Sequence, residues 1–292
     1  MIDNKGLAAF TAVIQQRNFE KAANQLCITQ SAVSQRLKLL EELLGQTLLM
    51  RTPEICPTRA GQALLKYAQN LQQLEHALQH ELEPQQQQSW VQLSIGTNAD
   101  TLATWLPQAL APWCLQNKVL LQLHVDDQDQ THHLLHSGEV MGCISSLAKP
   151  AHGCVSTPMG SIEYFCIASP AFRQTYFSTG VTADNFQQAP LVRFNKKDLL
   201  QHQYLNDYFQ LDADQLPQHQ LPSSEGFLDW IRLGMGWGLA PKEQLLDLLD
   251  KGEIVELTPQ QTVTVPLYWH QWRVSSGLTD SLKQHVLMHI NT

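Results

Sequence analysis

Apolar residues in the first third of the chain recur at helical spacing in short runs. Leu7, Phe10, Val13 and Ile14 share one side of a helix expected over residues 3–16. After a break at Arg17-Asn18, Phe19, Ala22, Ala23 and Leu26 do the same over 19–26. Cys27-Ile28 makes a turn. Thr29 is placed to cap a third helix, whose Val33, Leu37, Leu40 and Leu44 face inward and which Gly45 ends. Two extended pieces, 47–51 and 55–58, are joined through Thr52-Pro53-Glu54. Three small helices followed by a two-stranded wing form a winged helix-turn-helix plan. From Ala60, Leu64, Tyr67, Leu71, Leu74 and Leu78 alternate steps of three and four. That seam either pairs with a second copy or packs on its own domain. It stops at EPQQQQS, residues 83–89, where Pro84 and the Gln run cannot pack a core.

Beyond that boundary the period changes. Residues 91–95 alternate like a strand and lead through GTNAD into the helical TLATWLPQALAPW. Strands are expected at 119–125 and 140–145, with a helix at 131–137 between them. Further strands are expected at 164–168, 191–194 and 267–270, and helices at 225–233 and 278–290. Strands alternating with helices predict two small α/β lobes on a mostly parallel sheet, with the chain crossing between them.

Length and composition narrow the class. A chain of 292 residues has room for two or three domains, and 43% hydrophobic residues can fill their cores. No apolar run is long enough to span a bilayer, and MIDNKGLAAF lacks the pattern of a signal peptide. A cytoplasmic protein without a membrane partner is expected. The six cysteines are scattered without a C-x-x-C pair and read as free thiols. Residues 1–66 hold eight Lys and Arg against five Asp and Glu; the remainder holds eleven against twenty-two. A basic head could meet a polyanion. The acidic body would repel one and suit a small cation.

The third helix adds chemistry to the head. Its polar face carries Gln30, Ser31, Ser34, Gln35 and Lys38, with no acidic residue before Glu41. In a helix-turn-helix such a face enters the major groove. Gln can bond adenine at two points, and Ser can donate or accept. Arg36 and Lys38 can hold phosphates, which fixes register. Taken alone, the same face equally suits a solvated helix in a small bundle.

The ordering A-A … L … T-Q-S-A-V-S … L-E … L-G … L-L-x-R across residues 19–52, then P-T-R-A-G at 57–61, resembles the helix-turn-helix of LysR-type transcriptional regulators. The likeness runs the full length. N-A-D-x-L-A-T-W-L (98–106), G-E-V (138–140), S-S-E-x-F (223–227) and L-Y-W-H (267–270) resemble members that respond to arginine and lysine, a group also described as inhibiting chromosome initiation. Ser31 departs from the wider family, where Pro is common.

The resemblance implies a winged helix-turn-helix over 1–58, a dimerisation linker helix and hinge over 59–89, and an effector domain over 90–292. That domain would be two-lobed α/β, like periplasmic solute-binding proteins, with lobe I at about 90–162 and 267–292 and lobe II at about 163–266. It implies homodimers assembling into homotetramers on double-stranded DNA, with RNA polymerase as a further candidate partner. The DNA-facing set would be Thr29, Gln30, Ser31, Ser34, Gln35, Arg36 and Lys38, joined by Arg51 and Thr58 of the wing.

Ligands of open α/β sheets sit beyond the carboxyl ends of strands. Thr97-Asn98-Ala99-Asp100, with Thr101, follow the first strand of the body. Backbone N–H groups there would suit a carboxylate, and Asp100 an α-amino group. Asp126 and Asp127 follow the second strand, with Asp129 close by; one of them could pair with a distal ammonium or guanidinium. Ser145 ends the third strand, and Ser223, Ser224 and Glu225 open a helix. The effector candidates are Asn98, Asp100, Thr101, Asp126, Asp127, Ser145, Ser224 and Glu225. A basic amino acid, lysine or arginine, fits them. The bland alternative is that Asp100 and Ser224 merely cap helices.

Other signals are weak. His132/His136 and His285/His289 have zinc-pair spacing but no third ligand in sequence. G-M-G-W-G at 234–238 lacks the Lys-Ser/Thr of a nucleotide loop and reads as a turn. No cofactor, metal or catalytic set is expected, so the chain reads as a regulator of amino-acid transport or metabolism genes and not as an enzyme. A replication-origin or nucleoid binder is the main rival, and an enzyme on the two-lobed body a third reading.

Overall fold

In the computed structural model, residues 3–51, 55–82, 90–125, 134–135 and 138–290 are described. The head contains α1 (Asn4–Gln16), α2 (Phe19–Gln25) and α3 (Gln30–Leu44). Each starts on a side-chain cap: Asp3 accepts from the Gly6 N–H, Asn18 from Glu20 and Lys21, and Thr29 from Ala32. Gly45, at φ 63°, ends α3 in the left-handed conformation that glycine adopts without cost. Phe10, Val13, Ala22, Val33 and Leu37 are fully buried where the three helices meet. Each of the larger ones stabilises the head by roughly 1.5–3 kcal/mol. Strands β1 (Leu49–Arg51) and β2 (Ile55–Pro57) pair antiparallel as the wing.

Helix α4 (Arg59–Leu82) follows. The expected seam divides between two environments. Leu64, Leu65 and Ala68 are buried in the head core and Leu71 packs against it, whereas Tyr67 and Leu74 are 47% and 60% exposed. Leu78 lies outside the described side chains. A Cβ at Gly61 would strike the Leu48 carbonyl, and that close approach seats α4 on the wing. The same helix touches the body. Gln69 Nε2 donates to the Gly138 carbonyl at 2.7 Å, and Lys66 Nζ stands 3.6 Å from the Trp272 ring centroid.

The body is built on β3 (Val91–Thr97), β4 (Val119–Val125), β5 (Gly142–Ser145), β6 (Cys154–Ala168), β9 (Gly238–Pro241), β10 (Val255–Glu256) and β11 (Thr262–Trp272). Their order is β10-β6-β11-β5-β3-β4, and β9 also pairs with β6. β7 (Leu191–Arg193) and β8 (Gln218–Gln220) form a separate parallel pair. The result is two α/β lobes joined by long crossing strands.

The sheet is not mostly parallel as expected. β3 runs parallel to β4 and β5, but β11 is antiparallel to β5 and β6, and β6 to β9 and β10. β6 carries a clear apolar pattern only at its end, whereas Val263, Val265, Leu267 and Trp269 alternate along β11. Pro158 and Gly160 interrupt β6, Pro266 falls on the opposite face of β11 from its apolar residues, and the pairing shifts register at Leu267/Tyr268. The strands are nevertheless 15 and 11 residues long, held by pairing to each other.

The first helical stretch of the body splits into α5 (Ala99–Ala103) and α6 (Leu106–Asn117), with Pro107 in the first turn of α6, where a missing N–H costs nothing. The expected helix at 131–137 falls outside the described residues, apart from helical 134–135. Five more helices follow before the last: α7 (Pro170–Tyr176), α8 (Ala183–Gln188), α9 (Leu200–Phe209), α10 (Ser224–Arg232) and α11 (Lys242–Asp250). Helix α12 (Gly277–His289) closes the body. Among the described residues no helix is long and apolar enough to cross a membrane.

A candidate effector cavity and DNA-facing helix

Segments from both lobes line a cavity of about 950 Å³. Asn98, Ala99 and Asp100 reach it from the end of β3, Val125 from β4, Ser224 and Phe227 from α10, and Thr264, Val265 and Pro266 from β11. Residues 194–199, after β7, supply another wall, continued by Leu200, Gln201 and Gln203 of α9.

Asp100 is the charged centre of the first wall. Tyr164 Oη donates to its Oδ2 at 2.8 Å, and Ser224 Oγ donates to its Oδ1 at 3.3 Å. Burial raises the Asp100 pKa above the ordinary carboxylate range; the Tyr164 hydrogen bond opposes this, the Asp198 charge adds to it, and the Ser224 bond opposes it again. Asn98 is 2% exposed and caps α5 through its Oδ1, which accepts the Thr101 N–H at 2.7 Å. That bond fixes the amide orientation. Its Nδ2 is buried without a partner. Thr101 is fully buried and its own hydroxyl is likewise unpartnered.

Asp198 was missed in the sequence. The buried Arg193, at the end of β7, holds the loop that carries it. Arg193 Nε donates to the Asp198 carbonyl and Nη2 to the Lys196 carbonyl, each at 2.9 Å, while Nη1 reaches Asp214 Oδ1 at 2.8 Å. Asn195 Oδ1 accepts the backbone N–H groups of Lys197 and Asp198. The Asp198 carboxylate accepts the Leu200 N–H at 3.0 Å, and burial raises its pKa despite that bond, others from Phe194 and Gln201, and the Arg193 charge. The usable signal was the polar N-K-K-D run at 195–198, directly after an expected strand.

The other expected effector residues are not gathered equally. Ser224 lines the cavity and Glu225 does not; it is exposed in the first turn of α10. Ser223, beside them, caps α10 by accepting the Gly226 N–H. Ser145 is fully buried and accepts the Leu147 N–H, leaving its neighbour Ser146 on the cavity wall. Asp126, Asp127 and Asp129 lie outside the described residues.

On the head, Gln30, Ser31, Gln35 and Lys38 are exposed along α3, and Ser34 and Arg36 are half-buried beside them. Thr29 divides its hydroxyl between the cap and Ser31 Oγ at 3.0 Å. Lys38 makes a loose 3.7 Å pair with Glu42, which a phosphate could displace. The Thr58 hydroxyl is already engaged, donating to the Thr47 carbonyl at 2.6 Å and accepting the Gly61 N–H. Arg51 stands opposite Ile55 at the wing tip.

His285 and His289 each spend a ring nitrogen on a backbone carbonyl, those of Ala109 and His285. His202, Asp212 and Asp214 bring ligand atoms within 4.8 Å of one another. Asp214 is taken by Arg193, so the group reads as an ion-pair network. G-M-G-W-G is a turn leading into β9.

A winged head with an open polar helix, a linker helix and a two-lobed cavity define a ligand-sensing DNA-binding regulator. The chain belongs to the LysR family of transcriptional regulators. Residues 5–62 match the bacterial regulatory helix-turn-helix of the lysR family, and residues 86–289 the LysR substrate binding domain. It is similar to the HTH-type transcriptional regulator ArgP of Photobacterium profundum, 41% identical over 99% of this chain and 97% of that protein. ArgP of Pseudomonas aeruginosa is 42% identical over 98% and 95%. Among solved structures, ArgP from Mycobacterium tuberculosis superposes with a TM-score of 0.87 at 33% identity, covering 99% and 98% of the two chains. Full-length LysG from Corynebacterium glutamicum with bound effector Arg gives 0.78 at 31% identity, covering 99% and 98%. The family and these relatives are transcriptional regulators and not enzymes. An origin-binding protein with regulation secondary is not favoured.

Proposed function

We propose that this regulator senses a basic amino acid, lysine or arginine, in the interlobe cavity and controls genes of amino-acid transport or metabolism from the cytoplasm. The observation that carries this is Asp100, a half-buried carboxylate at the cavity wall, held by hydroxyls from two other elements. A cation is the ligand that repays its desolvation. The arginine named for the LysG structure supports the same chemistry.

The working domains in this reading are 1–58, 59–89 and 90–292. Gln30, Ser31, Ser34 and Gln35 read base edges, while Arg36, Lys38 and Arg51 hold phosphates. Exposed Tyr67 and Leu74 on α4 meet a second copy, and homodimers assemble into homotetramers. Effector binding favours one quaternary shape on double-stranded DNA, and the promoter-bound tetramer then meets RNA polymerase.

Thermal melting of the full-length protein against the common amino acids, with DNA binding scored in parallel, tests the reading. A raised midpoint with lysine or arginine and with few others is the expected result. Intact DNA binding with no shift for any amino acid would discard the effector assignment and leave the head's role standing.

A further inference from the structure

Gln201 is 1% exposed and lines the cavity from the first turn of α9. Its amide lies close enough to the Asp198 carboxylate to favour that group's ionised form. The Gln201 acceptor Oε1 is buried without a hydrogen-bond partner. A buried acceptor left without a donor is costly, and it stands next to a carboxylate. Both features call for a ligand group that is cationic and rich in N–H donors. On the opposite wall, Asn98 presents the complementary case, a buried donor Nδ2 without an acceptor, two residues from Asp100.

We propose that Asp198 and Gln201 form a second receptor in this cavity, which holds the side-chain cation of a basic amino acid while Asp100 and Asn98 hold its α-amino and α-carboxylate groups. The proposal rests on the reading of the cavity as an amino-acid site. Asn98 and Asp100 are neighbours on one segment, as the α-carboxylate and α-amino groups are neighbours on one carbon. Asp198 stands on a different segment yet is close enough for its charge to act on Asp100. A ligand with two separated cations relieves both carboxylates; one with a single cation leaves one of these half-buried charges unmatched. Arg193 is then a positioning residue. It does not line the cavity, but it sets the carbonyls of Lys196 and Asp198 and so the place of the Asp198 carboxylate.

The test is calorimetric titration of the full-length protein with L-lysine, L-arginine and L-norleucine, which shares lysine's chain length but has no distal cation or donor. Wild type should prefer lysine and arginine to norleucine by about 100-fold or more. Asp198→Asn keeps an acceptor for the Leu200 N–H. It should weaken lysine and arginine by roughly 30-fold or more while leaving norleucine unchanged. Asp100→Asn should weaken all three. Gln201→Met removes the unpartnered acceptor without touching the charge, and should weaken lysine several-fold but not norleucine; it serves equally if Asp198→Asn does not fold. If Asp198→Asn and Gln201→Met bind lysine and arginine like wild type, the second receptor is overturned and the basic-amino-acid reading survives. If wild type binds norleucine as tightly as lysine, the second receptor is overturned and only an amino-acid site remains. If wild type binds none of the three, both readings fall.

Discussion

Tyr164 donates a 2.8 Å hydrogen bond from its hydroxyl to Oδ2 of Asp100, 64 residues earlier in the chain. Tyr164 is 1% exposed and sits on β6, a long crossing strand, whereas Asp100 opens a short helix after β3. Ser224 adds its hydroxyl from α10. The carboxylate is therefore aimed by three elements distant in sequence, and its position depends on how the lobes meet.

Asp100→Ala should lower affinity for lysine or arginine by roughly 30-fold or more, since it removes one partner of a desolvated charge pair. The fold should survive, because Asn98 and not Asp100 caps α5. Tyr164→Phe should cost less, several-fold, because it removes only one of two hydroxyl donors. A calorimetric titration of Asp100→Ala that matches wild type would take Asp100 out of the site.

Effector binding should weaken in acid at a pH above the usual carboxylate range of about 4. Burial raises both Asp100 and Asp198, and only their ionised forms attract a cation. A group whose folded pKa is raised holds its proton more tightly when folded. For these two acids, the contribution to stability of the ligand-free protein therefore falls as pH rises through the raised values, and returns on acidification. Arg193 and the cavity-lining Lys196 and Lys197 are the cations on the Asp198 side of the cavity. Titrations from about pH 8 to about pH 5, in two buffers of different ionisation enthalpy, would detect proton release on binding. Affinity independent of pH over that range would contradict the assignment.

Gln35→Ala should lose discrimination between a target promoter and random DNA by about 1–3 kcal/mol, with dimerisation intact. Gln35 is exposed on the open face of α3 and holds no core position. Footprinting and sedimentation on the same preparation check both halves. An unchanged promoter footprint at limiting protein would remove Gln35 from base reading.

Arg193→Met should destabilise the body by about 3 kcal/mol, because two loop carbonyls lose a charged donor. Effector affinity should fall as well, as residues 194–199 lose their anchor. Denaturant melts of the variant, followed by lysine titration, separate the two effects. A wild-type melt would show that Asn195 alone holds the loop.

The head was legible because its information is local. Asp3, Asn18, Thr29 and Gly45 start or stop helices through contacts within a few residues, and the spacing of Val33, Leu37 and Leu40 alone defines a buried face. The local order of A-A … T-Q-S-A-V-S … L-G also carried the family. Asp100 and Ser224 could be placed near a ligand because strand ends and helix starts have local marks. Only 164–168 and 267–270 of the crossing strands were expected; their full length in β6 and β11 comes from pairing with each other and with β5, β9 and β10. Asp198, Gln201 and Arg193 escaped for a related reason. The polar N-K-K-D run after an expected strand marks the loop around Asp198, but nothing in it tells a cavity-wall acid from a solvated one. Which carboxylates share a cavity, and which amide end is left unpartnered there, is decided when segments 64 to more than a hundred residues apart exclude water together.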